Sequence, residues 1–200
     1  MVSTPDLLWP FPILIGLIVL ATGTEIFLRA PSRPLNRVLL IETIVIFIWA
    51  TANSFFLFHW HSLSLRTFWD YLTFATGFPL APVFAVFACY LPPQKTPSKT
   101  LLAIAGATSA FFASPVFFSK YFPWESGHAT AANPFYLFLY TLSFTGFIYF
   151  GLRTVWRKTK TATNPLDKKQ LQILLVGLLL TFVPGIIAGI CFPLAGADSF

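Results

Sequence analysis

The chain has 200 residues and a mass of 22.3 kDa; it is 56% hydrophobic, only 10% charged, and has a mean hydropathy of +0.73. A soluble domain is roughly 25% charged, so this sequence lacks the polar residues that would cover a water-facing surface. Its 24 Phe, 6 Tyr and 6 Trp exclude disorder as well. A globular enzyme of the cytosol is ruled out, and the composition predicts an all-α polytopic membrane bundle forming one domain over residues 1–200.

A membrane-crossing helix needs about 20 mostly apolar residues. Six stretches approach or exceed that length: Leu7–Leu28, Val38–Phe58, Phe68–Leu91, Leu101–Phe118, Phe135–Val155 and Leu171–Leu194. The fourth is the shortest. All six are continuous apolar runs, not the alternating ten-residue strands of a lipid-embedded barrel.

The first connection carries Arg29, Arg33 and Arg37, the third Lys95 and Lys99, and the fifth Arg153, Arg157, Lys158, Lys160, Lys168 and Lys169. These are eleven of the 13 Lys and Arg; the other side holds only Arg66 and Lys120. The positive-inside rule therefore predicts cytoplasmic basic loops, an external N-terminus and a multi-pass protein of the cell membrane. Residues 1–9 have no Lys or Arg, so the basic start of a cleavable signal peptide is missing and the first run is retained. Five of the six Trp (Trp9, Trp60, Trp69, Trp124 and Trp156) fall near expected membrane boundaries, with Trp49 mid-membrane.

In chain order, the first chemical candidates are Glu25 and Glu42, near the inner ends of helices one and two. Arg29 follows Glu25 by four residues and Arg37 precedes Glu42 by five, which predicts ion pairs at the inner boundary. A proton or cation relay is the sharper alternative, and it wants charge nearer mid-membrane. His59, His61 and His128 fall in outer loops with generic spacing, and no metal or other cofactor is expected. Cys89 and Cys191 fall near opposite membrane faces, too far apart for a disulfide.

Helix three carries Pro79 and Pro82 near its centre, and helix six carries Pro184-Gly185. Proline removes a backbone donor and bends a helix, so these four residues are expected as breaks or hinges. Gly177, Thr181, Gly185 and Gly189 recur every four residues on helix six, as Gly106, Ala110 and Ser114 do on helix four. Small residues on one face allow close helix approach, either within the bundle or in a homodimer. Trp49 and Asn53 on helix two, with Tyr136, Tyr140 and Ser143 on helix five, are the candidates for an outward-facing ligand pocket. Interhelical hydrogen bonding is the competing account of the same residues.

Asn164-Pro165-Leu166-Asp167 has the order of a helix start: an Asn cap, Pro in the first helical position, and Asp at the positive end of the dipole. Helix six is thus expected to begin before the membrane. The six basic residues from Arg153 to Lys169 are expected as anchors to anionic lipid, worth about 1 kcal/mol each. Nucleic-acid binding is not expected despite the pI of 9.6.

Three places resemble the seven-helix N-terminal sensory region of bacterial membrane histidine kinases. They are Pro31-Ser32-Arg33-Pro34-Leu35-Asn36-Arg37 followed by Trp49-Ala50; Arg157-Lys158, Asn164-Pro165 and Lys169-Gln170-Leu171; and Gly177 with Pro193-Leu194-Ala195-Gly196. The resemblance implies a sensor of an external or membrane-borne signal, with the first six helices present and the seventh absent. The family's phosphoacceptor His and ATP-binding domain are likewise absent, so the chain is expected to be no enzyme. Its signal would pass to an output domain missing from these residues. The stimulus is not specified by the sequence, and a small transporter or permease component is the alternative.

Overall fold

The computed structural model describes residues 10–57, 63–92, 95–114 and 134–186. Among them are six α-helices and no strand. They are α1 (Pro10–Arg29), α2 (Pro34–Leu57), α3 (Leu63–Tyr90), α4 (Lys99–Phe112), α5 (Pro134–Thr161) and α6 (Pro165–Ile186). The all-helical expectation holds. By length and apolarity, Pro10–Arg29, Pro34–Phe55 and Tyr71–Tyr90 can each cross a membrane, while Lys99–Phe112 is a shorter apolar helix.

Local chemistry sets the starts. Pro34, Pro134 and Pro165 each occupy a first helical position, where the missing N–H costs nothing and φ is already helical. The Ser98 hydroxyl accepts from Leu101 N at 3.1 Å and caps α4. Asn164 caps α6 as its sequence predicts, its Oδ1 accepting from Leu166 N at 3.1 Å. Helix α5 runs past the expected end at Val155 to Thr161. Its last turns are basic, and hydropathy, which marks only what lipid can hold, misses them.

The α1–α2 hairpin is built on glycine. A Cβ at Gly16 would lie 3.3 Å from Ala50 Cβ. One at Gly23 would lie 2.8 Å from Thr43 Cβ and nearer still to its hydroxyl and methyl. Beyond them, Asn36 Nδ2 donates to the carbonyls of Ala30 (3.0 Å) and Ile26 (3.1 Å), closing the turn. The pairs 16 with 50, 23 with 43 and 30 with 36 step by seven on each helix, the spacing of a coiled-coil seam. Much of α1 faces outward: Phe11, Leu14, Ile15, Leu17, Ile18 and Leu28 are exposed, on a helix long and apolar enough to cross a membrane.

Helix α3 is the centre of the bundle and packs on α2, α4 and α5. Its buried face is Ala75, Gly77, Phe78, Ala81, Pro82, Phe84, Ala85 and Ala88. Trp49 lies on Gly77, and Leu35 packs on the cluster that contains Leu91. Leu35 and Trp49 are fourteen residues apart, so residue 42, midway between them, falls on the same side of α2. Helix α5 runs parallel to α3: Phe84 covers Gly151, its Cδ1 2.7 Å from where a Cβ would stand. Helix α6 packs antiparallel on α5 through Val155, Leu171 and Leu175.

Leu35, Leu91, Val155, Ala162 and Leu171 meet in one apolar cluster. They flank the first, third and fifth connections, so these three basic connections lie at one end of the bundle.

Candidate functional site

Three helices converge on Gly77. A Cβ there would lie 3.1 Å from Trp49 Nε1, 3.2 Å from Trp49 Cδ1 and 3.5 Å from the Tyr140 hydroxyl. Two of the expected pocket residues, from α2 and α5, thus meet over the backbone of α3, where a side chain at residue 77 would be tightly crowded. Tyr140 is set by an aromatic shell: Phe74 at 5.9 Å and Phe78 at 5.3 Å meet it edge to face, Phe112 at 5.5 Å does the same, and Phe144 is parallel at 6.1 Å. Such contacts are worth about 0.5–1.5 kcal/mol each beyond burial and fix the ring's direction. The result is an apolar wall carrying two polar handles, an indole N–H and a phenol.

Asn53 and Ser143 are half-buried, and neither side chain hydrogen-bonds to another described residue. Nothing described joins them to the Trp49–Tyr140 pair. The Tyr136 side chain lies outside the described residues, as do His59, His61, His128 and Cys191. Cys89 is a free thiol.

Pro79 and Pro82 do not end α3. The helix is continuous from Leu63 to Tyr90 through Pro79 and Pro82, and Pro82 is among the most deeply buried side chains. Proline's fixed φ is itself helical, and α2, α4 and α5 pack on this helix. Helix α6 likewise continues past Pro184 and Gly185 to Ile186, although the side chains from Thr181 onward, and Gly189, lie outside the description.

Of the small-residue stripes, Thr181, Gly185 and Gly189 lie outside the described side chains. A Cβ at Gly177 or Gly106 would meet nothing within 4 Å, and both glycines are exposed. Close approach is made instead at Gly16, Gly23, Gly77 and Gly151.

The two carboxylates part company. Glu25 pairs with Arg29 on the exposed face of α1, as their spacing predicts. Glu42 does not pair with Arg37, whose Nε donates to the Pro31 carbonyl at 2.9 Å. Its Oε2 is buried with no hydrogen-bond partner, and no described residue bonds to the carboxyl. The ion-pair expectation fails here because residue 42 falls in the α2–α3 seam, one heptad from Trp49.

At the basic end, Arg153, Arg157, Lys160, Lys168 and Lys169 are exposed, as anchors must be. Lys160 Nζ lies 4.8 Å from the Trp156 ring centroid, a cation–π contact on the half-exposed indole. Lys158 is different. It is 7% exposed, and its Nζ donates to the Cys89 carbonyl at 2.7 Å and to the Leu91 carbonyl. It clasps the C-terminal end of α3, where carbonyls lack helical partners and the dipole favours a cation. Burial lowers its pKa from the ordinary lysine value; the Cys89 thiol opposes that shift and Lys95 reinforces it.

Among the described residues no group of three or more His, Cys, Asp or Glu could hold a metal ion. No family model, no curated protein and no solved structure matches the chain.

Proposed function

We propose that the chain is a multi-pass membrane sensor module whose six helices cross the bilayer with the N-terminus outside and the basic end in the cytoplasm. The signal enters at the Trp49–Gly77–Tyr140 junction as a small molecule or lipid against the aromatic wall. It leaves as a displacement of α3 at the end clasped by Lys158, and it drives a cytoplasmic output domain of the histidine-kinase kind. The observation that carries this reading is the convergence of α2 and α5 on one glycine of the central helix. A ligand there must move three helices together, and two packings of one core are the usual basis of a switch.

Sequencing the gene in frame beyond codon 200 tests the output. A seventh apolar helix followed by a phosphoacceptor His and ATP-binding motifs is the expected result. An immediate stop codon removes the relay and the reading with it.

A small transporter or permease component is the second reading, and the unpaired Glu42 carboxyl in the α2 span favours it. It requires solute flux in reconstituted vesicles that is lost in Glu42→Gln and kept in Glu25→Gln.

A further inference from the structure

We infer that Glu42 is a proton-binding site within the membrane, and that its ionisation loosens the seam between α2 and α3. Three observations lead there. The carboxyl sits in a helix apolar enough to cross a membrane. Its Oε2 is buried, and no described residue supplies it a hydrogen bond or an ion pair. It also lies seven residues from Leu35 and seven from Trp49, and both of those side chains pack toward α3, so residue 42 shares that side of α2.

The groups around it offer no charge to complete it. From α1 the titratable side chains are Glu25 and Arg29, already paired with each other. From α3 the described ones are Tyr71, Cys89 and Tyr90. On α2 itself Arg37 is turned to the Pro31 carbonyl, and Lys158 of α5 is turned to the carbonyls of Cys89 and Leu91. An ionised carboxylate in an apolar seam costs several kcal/mol unless water or a counter-charge reaches it, so the packing described here suits the neutral acid.

The direction of relief follows from the neighbouring contacts. On the α1 side α2 is held by the Gly23–Thr43 contact and by two Asn36 hydrogen bonds, and that face has no room to yield. Glu42 is half-buried, so the side on which water can gather around an ionised carboxylate is the α3-facing side of α2. The same seam carries Trp49 on Gly77 one heptad further on, so loss of one proton would be felt at the aromatic junction. The inference holds whether the chain is a sensor or a transporter, since it concerns only what Glu42 binds.

The test is modification of the whole chain in lipid vesicles by the apolar reagent dicyclohexylcarbodiimide, which attacks protonated carboxyls in apolar surroundings, with the adduct mapped by mass spectrometry. The expected result is an adduct on Glu42 in mildly acidic buffer whose yield falls about tenfold per pH unit above the midpoint, as for one titrating proton. Glu42→Gln loses that adduct, and Glu42→Asp retains a pH-dependent one. Wild-type labelling decides the matter even where a variant folds poorly. No adduct on Glu42 in acid, or a yield indifferent to pH, overturns the proposal. The loosening is read separately by quenching of Trp49, as the difference between wild type and Trp49→Phe. Quenching should rise with pH in wild type and stay flat in Glu42→Gln, and a flat wild-type response overturns the coupling.

Discussion

The side chain of Thr43 occupies the space that a side chain at residue 23 would need: its Cβ lies 2.8 Å from where a Gly23 Cβ would stand, and its hydroxyl and methyl lie closer. Gly23→Ala therefore forces α1 away from α2. Overpacking of this kind costs about 1–3 kcal/mol, to be read as a loss of unfolding free energy in detergent. Thr43→Ala removes the two nearest atoms and restores part of the loss, whereas an additive double mutant would mean that the two residues do not share the space.

A second prediction concerns Lys158. Its replacement by Met removes the lysine donor from the Leu91 carbonyl and leaves the Cys89 carbonyl with the Lys95 N–H alone, and should cost about 1–3 kcal/mol. The pH dependence has a definite sign. Burial holds the folded-state pKa of Lys158 below the unfolded value of 10.5, so the folded state binds fewer protons across that window. Stability gained from Lys158 thus rises as pH climbs through the window toward 10.5 and is least below it. Thermal melting of wild type against Lys158→Met across the alkaline range checks this; a difference that shrinks with rising pH has the wrong sign.

The glycines divide into two classes. Gly77→Leu would displace both Trp49 and Tyr140, and a red-shifted, weakened tryptophan emission with a lowered melting temperature is expected. Gly177→Leu meets no described atom and should leave the melting temperature unchanged. If that same substitution reduces self-association in sedimentation experiments, the outward stripe of α6 serves a second copy of the chain.

The shared basic end gives a prediction about sidedness. In a background with Cys89 and Cys191 replaced by Ala, Lys99→Cys and Arg153→Cys should behave alike toward an impermeant maleimide. Both should be silent in intact cells and reactive after permeabilisation. Labelling of both from outside would invert the orientation, and labelling of only one would contradict the common end.

The all-helical character of the described residues was legible in the sequence because each apolar run is continuous and punctuated by proline or basic residues. The α6 start was legible from Asn164-Pro165, whose capping chemistry is local. The packing glycines were not. A four-residue step on helix six attracts the eye, but the contacts follow seven-residue steps on α1 and α2, and which step is used depends on the neighbour. Glu42 and Lys158 were misjudged for the same reason. Hydropathy placed both near a boundary where charges can reach water, and only the register of α2 and α5 against α3 shows that they turn inward. Trp49 and Tyr140 were picked out by residue type, yet nothing local to either says that both lie over residue 77.

Among the described helices, α1 makes its extensive contacts with α2, through the seam at Gly16 and Gly23. During synthesis this hairpin can lock together in the bilayer while α3 is still within the ribosome. The later helices then assemble against a preformed wall, so a defect at Gly23 should appear as failed insertion of the nascent chain, before the later helices are made.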